Sequence, residues 1–351
     1  NLMSTKVTGI YDARKELGWG KTIIMGLQQC FAMFGATILV PVLTNSYPGA
    51  EGMGLSASVT LFCAGIATLW FHFITKGKVP VFLGSSFAFL GMYQAIIPQY
   101  GKEYATGGVV AAGGLYVILA ILIKVLGTKR VMKLFPPAVC GPLIILIGIN
   151  LAGSAIDNLF TNWMLGIVPI LVIIICNTWG KGMIKIIPVL ISLIVSYIVA
   201  IIMGAVDFSA VGSANWVGLP NFHLPKFNAD AIVAGLAVAV AAMVEHVGDV
   251  MAIGATCGKN FIADPGLTRT LLGDGIGTSL AGLLGGPANT TYSENTGVVA
   301  LTRVFDPFVM RIAAVMAIIL SLSPKFEAVI NSIPAAIIGG ISFVLYGMIA
   351  A

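Results

Sequence analysis

The chain of 351 residues contains few charged side chains. Asp, Glu, Lys and Arg together make up only 9% of it, whereas soluble globular proteins carry roughly 25% charged residues. The polar helix faces that a large soluble core needs are therefore missing, which excludes an ordinary soluble protein. The net charge of +5 is small, and it gives no reason to expect a nucleic-acid partner.

Motifs of catalysis and of cofactor binding are also absent from the sequence. The five cysteines are scattered in or beside apolar runs, and no CxxC pair occurs, so neither a disulfide framework nor a metal site is expected. There is no HExxH motif, no GxSxG motif and no complete phosphate-binding loop. We therefore expect no cofactor, no bound metal, no enzymatic activity and no ATP-driven transport.

Long apolar runs dominate what the sequence does contain. Hydrophobic residues make up 58% of the chain, and several uncharged stretches approach the length of about 20 residues that spans a hydrocarbon core as a helix. This pattern predicts an all-α polytopic membrane protein. We predict twelve membrane segments, at residues 22–43, 55–75, 79–96, 108–127, 135–155, 161–178, 183–204, 230–256, 267–284, 286–302, 309–323 and 332–351.

The basic residues indicate the orientation of these segments. If the N-terminus is cytoplasmic, all nineteen Lys and Arg residues except Lys102, Lys226 and Lys325 lie at the inner side, as the positive-inside rule requires. The sequence thus predicts a multi-pass protein of the cytoplasmic (inner) membrane, surrounded by lipid. Residues 1–21 form its cytoplasmic N-terminal segment, and residues 205–229 form an extracytoplasmic loop.

The third and tenth segments are interrupted by Gly, Pro, Ser and Thr. These breaks lie at residues 80–89 and 285–297. Irregular backbone is tolerated at membrane depth only where protein or a water-filled cavity satisfies its polar groups. The two segments lie seven apart, an odd number, so they run in opposite directions as in an inverted repeat. Paired broken segments indicate the central site of a transporter, although two kinked structural helices remain the alternative.

Acidic residues within the predicted segments are the main candidates for function. Each carboxylate costs roughly 2.5–3.5 kcal/mol at the centre of a membrane helix and usually marks a substrate or proton path. Glu245 and Asp249 are four residues apart and share a helix face, where both cannot ionise cheaply. We expect Glu245, Asp249 and Asp274 to carry proton coupling. A capping or backbone-bonding role for Asp249 is the alternative.

Glu294 follows the second break, near the N-terminus of a half-helix. Free N–H groups and the positive end of the helix dipole collect at such a position. A carboxylate beside backbone donors suits a ligand that bears both N–H and C=O groups, and a nucleobase is such a ligand. A helix-capping role is the alternative. His246 points about 100° away from Glu245 on a helix, and we interpret it as a packing residue.

The tenth segment also carries a long sequence signature. It reads Glu-Asn-Thr-Gly-Val-Val-Ala-Leu-Thr-Arg at residues 294–303. From about residue 22 to its end, the chain resembles the nucleobase/ascorbate transporter family and, within it, the uracil branch. Further likeness lies in residues 31–37, 83–89, 245–248 and 289–292.

The resemblance implies fourteen segments in two inverted repeats of seven, with short strands in segments 3 and 10. Residues 22–127 and 230–323 would form a core domain. Residues 135–204 would form a gate domain, in which residues 332–351 begin the twelfth segment. The last two of the fourteen segments are absent from this chain, so we expect its C-terminal part to be incomplete. The resemblance is also compatible with a homodimer.

The resemblance also implies a binding site. Glu245 and Glu294 would bind the N–H and carbonyl edge of uracil, and main-chain groups near Phe87 and Ser293 would complete it. The remaining residues at the site would be Ser86, Tyr292 and Tyr346, with Gln28, Asn295 and Gly297 in structural roles.

Three positions depart from the family pattern. Gln29 stands where His is usual, Asp249 stands where one relative has His, and Asp274 stands where some relatives have Asn. The expected function is proton-coupled uracil import by a symporter working through alternating access. A purine or xanthine permease of the same family, favoured by Asp274, and an ion channel are the alternatives.

Overall fold

The computed structural model describes residues 8–127 apart from residues 48, 50 and 51, residues 155–350, and residues 145, 149, 152 and 153 between these ranges. Its two strands are β1 (Leu83–Ser85) and β2 (Asn289–Thr291), and a 3-10 turn (Phe87–Phe89) follows β1. The helices are α1 (Ala13–Asn45), α2 (Ala57–Ile74), α3 (Leu90–Tyr100), α4 (Lys102–Leu126), α5 (Trp163–Trp179), α6 (Met183–Ile186), α7 (Pro188–Ile202), α8 (Ser209–Ser213), α9 (Ala229–Cys257), α10 (Leu267–Leu283), α11 (Ser293–Thr302), α12 (Pro307–Ser321), α13 (Pro324–Asn331) and α14 (Ala335–Ala350).

The helices follow the predicted segments closely and confirm a mostly helical, multi-pass membrane protein. In the described part of the chain, α1, α2, α4 and α9 are long and apolar enough to cross a membrane, and α12 with α13 forms a further candidate bent by 85°. Helices α5, α7 and α14 are shorter and apolar. Most of the predicted fifth segment, residues 135–155, lies outside the described residues, as do residues 1–7.

The structure differs from the prediction in two places, the start of α1 and the short helix α13. Helix α1 begins at Ala13, where the side chain of Asp12 caps it by accepting from the Lys15 N–H, and it is interrupted at Gly18 (φ 77°). The predicted N-terminal segment is therefore partly helical. Helix α13, capped by Ser323, occupies residues to which we assigned no segment. Both stretches are too polar for a hydropathy pattern to detect.

The described helices pack in two groups. Helix α4 lies against α9 and α10, while α2 lies against α10 and α12. Helix α5 lies against α7 and α14. Small residues allow the closest approach, as in other membrane helix pairs: a Cβ on Gly113 would collide with the Gly275 carbonyl oxygen. The two groups match the ranges of the expected core and gate domains, whose division stays a prediction.

The strands cross in the middle of the first group. They pair antiparallel, with Leu83 opposite Thr291. Thr68 of α2 donates to the Leu83 carbonyl (3.2 Å) and accepts from the Leu83 N–H (2.9 Å). Thr278 of α10 brackets Asn289 in the same way, at 3.2 and 3.3 Å. Matching hydroxyls thus satisfy buried backbone groups that have no access to water.

The predicted loop at residues 205–229 lies across one end of the first group. Its Lys226 N–H donates to the Glu103 carbonyl (2.8 Å), and its Gly218 N–H donates to the Leu322 carbonyl (2.9 Å). The loop therefore joins the end of α12 to the start of α4.

Candidate functional site

The two strands lead directly into helical segments. After β1 the 3-10 turn begins at Phe87, and after β2 helix α11 begins at Ser293. Pairing continues beyond both strands, because the Ser86 N–H donates to Ala288 (2.8 Å) and the Tyr292 N–H donates to Phe82 (3.0 Å). Since the strands are antiparallel, one helical N-terminus lies at each end of the crossing. First-turn N–H groups have no intrahelical partner, so both ends can donate to a ligand.

Tyr292 fastens the crossing to helix α1. Its buried hydroxyl donates to the Ser85 carbonyl (2.8 Å) and accepts from Thr37 (3.3 Å), and the Ser85 hydroxyl donates to the Thr37 carbonyl (2.8 Å). The Tyr292 ring fills the space beside Gly84. The hydroxyl we assigned to the substrate region is thus engaged by protein groups, and its visible role is to hold β1 against the start of α11.

The two acids of α9 occupy different environments. Glu245 is exposed and accepts no hydrogen bond from any described residue. Asp249 is half-buried and accepts from the hydroxyls of Thr291 (2.6 Å) and Ser293 (3.1 Å). Asp249 therefore connects α9 to β2 and to the start of α11. Glu245 lies within electrostatic range of Asp249 and Glu294, which makes it the available acceptor of this group.

Glu294 contributes to the wall of a cavity between the two helix groups. The cavity has a volume of about 180 Å³. Its other walls come from α1, at Ala32 and Gly35, and from the segment around α6, including Lys185. Glu294 forms no ion pair with a described residue, and its carboxylate lies at the N-terminus of α11, where its own backbone N–H donates to it.

Asp274 lies in the buried interior of the molecule, where it contacts α9. One of its carboxylate oxygens is 2.7 Å from Nδ1 of His246, and both side chains are fully buried. Sequence reasoning treated His246 as a packing residue and missed this contact. The one available signal was that a buried Asp without a nearby Lys or Arg needs another cationic or donor partner.

The signature residue Asn295 binds helix α1. Its Nδ2 donates to the carbonyl of Gln29 (2.9 Å) and to the side-chain oxygen of Gln29 (2.8 Å). We expected Gln28 in a structural role, but its side-chain oxygen is buried and has no described partner. Gly297 places α11 in van der Waals range of Ile186 on α6. The signature thus touches both helix groups.

The remaining candidates surround the crossing at different depths. Phe87 is half-buried and Ser293 is exposed. Ser86 and Tyr346 are both buried, and neither hydroxyl has a described partner. Among the described residues no group of three or more His, Cys, Asp or Glu side chains could hold a metal ion.

The two neighbouring glutamines provide a prediction. We expect Gln29→Ala to lower the stability of the purified protein by about 1–3 kcal/mol, because it leaves the buried Asn295 amide short of one acceptor. Gln28→Ala is the matched control on the next residue and should have a smaller effect. Thermal unfolding of both variants in detergent measures the difference. Equal losses would contradict the importance of the Asn295 contact.

Comparison with known proteins identifies the family. Residues 20–351 match a model described as "Permease family". A probable uracil permease of Pasteurella multocida is 41% identical over 344 residues, which cover 95% of this chain and 80% of that relative. The uracil permease of Bacillus subtilis is 39% identical over 361 residues, covering 97% and 80%.

The fold also has a counterpart among solved structures. The transmembrane domain of a cyanobacterial bicarbonate transporter superposes with a TM-score of 0.71 over 98% of this chain and 91% of that one, at 18% identity. These matches confirm the transporter fold class and the resemblance found in the sequence. The chain therefore belongs to this permease family, as a polytopic membrane transporter and not an enzyme.

Proposed function

We propose that the chain imports uracil together with a proton across the cytoplasmic membrane by alternating access. The names of its relatives, which are 37–41% identical uracil permeases, support uracil as the substrate. The observation that carries the proposal is the exposed carboxylate of Glu245, which has no hydrogen-bond partner in the described part of the chain and lies within electrostatic range of Glu294. Both acids lie beside a strand crossing from which two helical N-termini emerge.

This arrangement matches the hydrogen-bonding groups of a pyrimidine ring. Uracil presents N–H donors and C=O acceptors alternately along its edge. The carboxylates of Glu245 and Glu294 can accept from the N–H groups, and first-turn N–H groups at Phe87 and Ser293 can donate to the carbonyl oxygens. Hydrogen bonds to an ionised acceptor are the stronger kind, and a site built from them rejects ligands that leave its polar groups unpaired.

The protonation state of Asp249 affects its hydrogen bonds to the strand crossing. An ionised Asp249 can only accept, and it accepts from Thr291 and Ser293. A protonated carboxyl is also a donor and a weaker acceptor, so proton binding weakens or reverses the contact to Thr291 of β2 or to Ser293 of α11. In our proposal Glu245 and Asp249 bind the coupled proton, while Asp274 takes part in the coupling from behind them. Neutralising Glu245 and Asp249 lowers the cost of moving these acids at membrane depth.

The internal symmetry of the fold supports alternating access. Thr68 and Thr278 bracket their strands identically in the two halves of the chain, as an inverted repeat predicts. Inverted repeats place substrate at their interface, and one bundle then rocks against the other. The cavity beside Glu294 lies between the two helix groups, where such motion would open and close it.

Uptake of labelled uracil into proteoliposomes tests the proposal. We expect an inward proton gradient to drive accumulation, and a proton ionophore to abolish it. Excess unlabelled uracil should compete, whereas xanthine and uric acid should not. Competition by xanthine alone would favour the purine branch, and uptake indifferent to the gradient would exclude proton coupling.

A further inference from the structure

His246 and Asp274 form a buried couple behind Glu245 and Asp249. Their 2.7 Å contact joins α9 to α10, and neither side chain reaches solvent. Nε2 of His246, Oδ1 of Asp274 and the hydroxyl of Tyr116 on α4 have no partner among the described residues. Tyr116 is close enough to interact electrostatically with Asp274 and Glu245. The couple is therefore polar, enclosed and near the proposed proton site.

The surroundings of the couple contain more acids than bases. No Lys or Arg of the described chain forms an ion pair with Asp274. Besides the couple itself, the acids on α9, on α10 and on the elements packed against them are Asp230, Glu245 and Asp249 of α9, Glu103 of α4, Asp264 before α10 and Glu294 of α11. The bases are Lys102 and Lys124 of α4, Arg269 of α10 and His72 of α2, and the tyrosines are Tyr104 and Tyr116 of α4 with Tyr93 and Tyr100 of α3.

The charge of the couple depends on a single proton. With a proton shared between imidazole and carboxylate, the couple is neutral overall, and without it the couple carries one negative charge. An uncompensated charge in a low-dielectric interior is costly, so burial favours the neutral state. A second negative charge here would also repel the ionised forms of Glu245 and Asp249, which interact electrostatically with Asp274.

We propose that His246 is a positioning residue that keeps the Asp274 couple neutral and thereby sets how readily Glu245 and Asp249 bind the coupled proton. This inference rests on the proposed function, because it concerns the proton site of that transporter. The couple does not itself release the transported proton. The couple remains neutral while Glu245 and Asp249 gain and lose the coupled proton.

Two single variants should shift the pH dependence in opposite directions. His246→Gln removes one of the two groups that hold the proton, so Asp274 loses the proton more readily as the pH rises, and the added negative charge should raise the pH midpoint of uracil uptake. Asp274→Asn leaves a pair that cannot become negative, so the midpoint should fall. At an effective dielectric constant near 20, a unit charge roughly 12 Å away changes a pKa by about one unit, and we expect midpoint shifts of this order.

The double variant separates this role from a structural one. His246→Gln with Asp274→Asn replaces the couple by two neutral amides, so the midpoint should return toward that of the unaltered protein. His72→Gln is the matched control, because His72 is also a buried histidine, bonded to the Val81 carbonyl (3.0 Å). It should lower thermal stability without moving the midpoint.

Proton-driven uracil uptake by proteoliposomes at a series of pH values is the measurement. Thermal unfolding and uracil binding confirm folding, and His246→Asn replaces the glutamine variant if the latter does not fold. Shifts in the same direction, or none, would overturn the inference. So would a double variant that exchanges uracil but no longer accumulates it, since the couple would then be the proton carrier. If uptake by the unaltered protein ignores pH, the proposed function fails instead.

Discussion

Glu294→Gln should weaken uracil binding by about 10- to 100-fold, which corresponds to losing one hydrogen bond to a charged acceptor. The amide keeps the shape of the side chain but presents an N–H group where the carboxylate accepted one. It lies in the wall of the cavity of about 180 Å³ beside the N-terminus of α11. The same change should improve purine binding. Equilibrium binding of labelled uracil and xanthine to purified protein measures both effects.

A second glutamate is the control for this prediction. Glu103 is half-buried at the start of α4, where its carbonyl accepts from Lys226 of the loop at residues 205–229, and Glu103→Gln should leave the uracil affinity unchanged. Equal weakening in both variants would indicate general destabilisation. An unaltered affinity in Glu294→Gln would remove Glu294 from the binding site and would leave Glu245 as the remaining carboxylate candidate.

The membrane segments could be predicted because hydropathy and helix length are local properties. The breaks in segments 3 and 10 were equally visible, since Gly, Pro and hydroxyl residues cluster there. The odd spacing between the segments indicated that they run in opposite directions, which agrees with the antiparallel pairing of β1 and β2. Helix α13 was missed because its eight residues include Lys325 and Glu327. A short polar helix beside a sharp bend has no hydropathy signal of its own.

Contacts within the site were harder to predict than the identity of its residues. The cost of placing charge at membrane depth singled out Glu245, Asp249 and Asp274 as candidates, and their role in proton coupling stays a prediction. The contact of Asp274 with His246 depends on how α9 rotates against α10, across 28 residues of sequence. The choice of Gln29 over Gln28 likewise depends on a rotation of about 100° per residue, which a sequence pattern does not determine.

Gly84→Ala should disrupt the candidate site more severely than the replacement of any single side chain at its rim. A Cβ at this position would overlap the Tyr292 ring and lie 2.8 Å from the Thr37 hydroxyl. Such overpacking typically costs about 1–3 kcal/mol. Here the displaced ring also anchors β1 through Ser85. We expect a lower unfolding temperature. We also expect at least tenfold weaker uracil binding, because moving Tyr292 displaces the start of α11, and a loss of 1.4 kcal/mol in binding free energy is a factor of ten.

Gly91→Ala is the matched control, seven residues further along the same segment. Gly91 lies in α3, and no described atom lies within 4 Å of a Cβ added there, so alanine should be neutral or slightly stabilising in the helix. Thermal unfolding and uracil binding of both variants give the comparison. If Gly84→Ala binds uracil normally, Tyr292 does not position Glu294, which lies two residues further on. If only Gly84→Ala loses binding, the glycine of β1 is what allows Tyr292 to hold α11 in place.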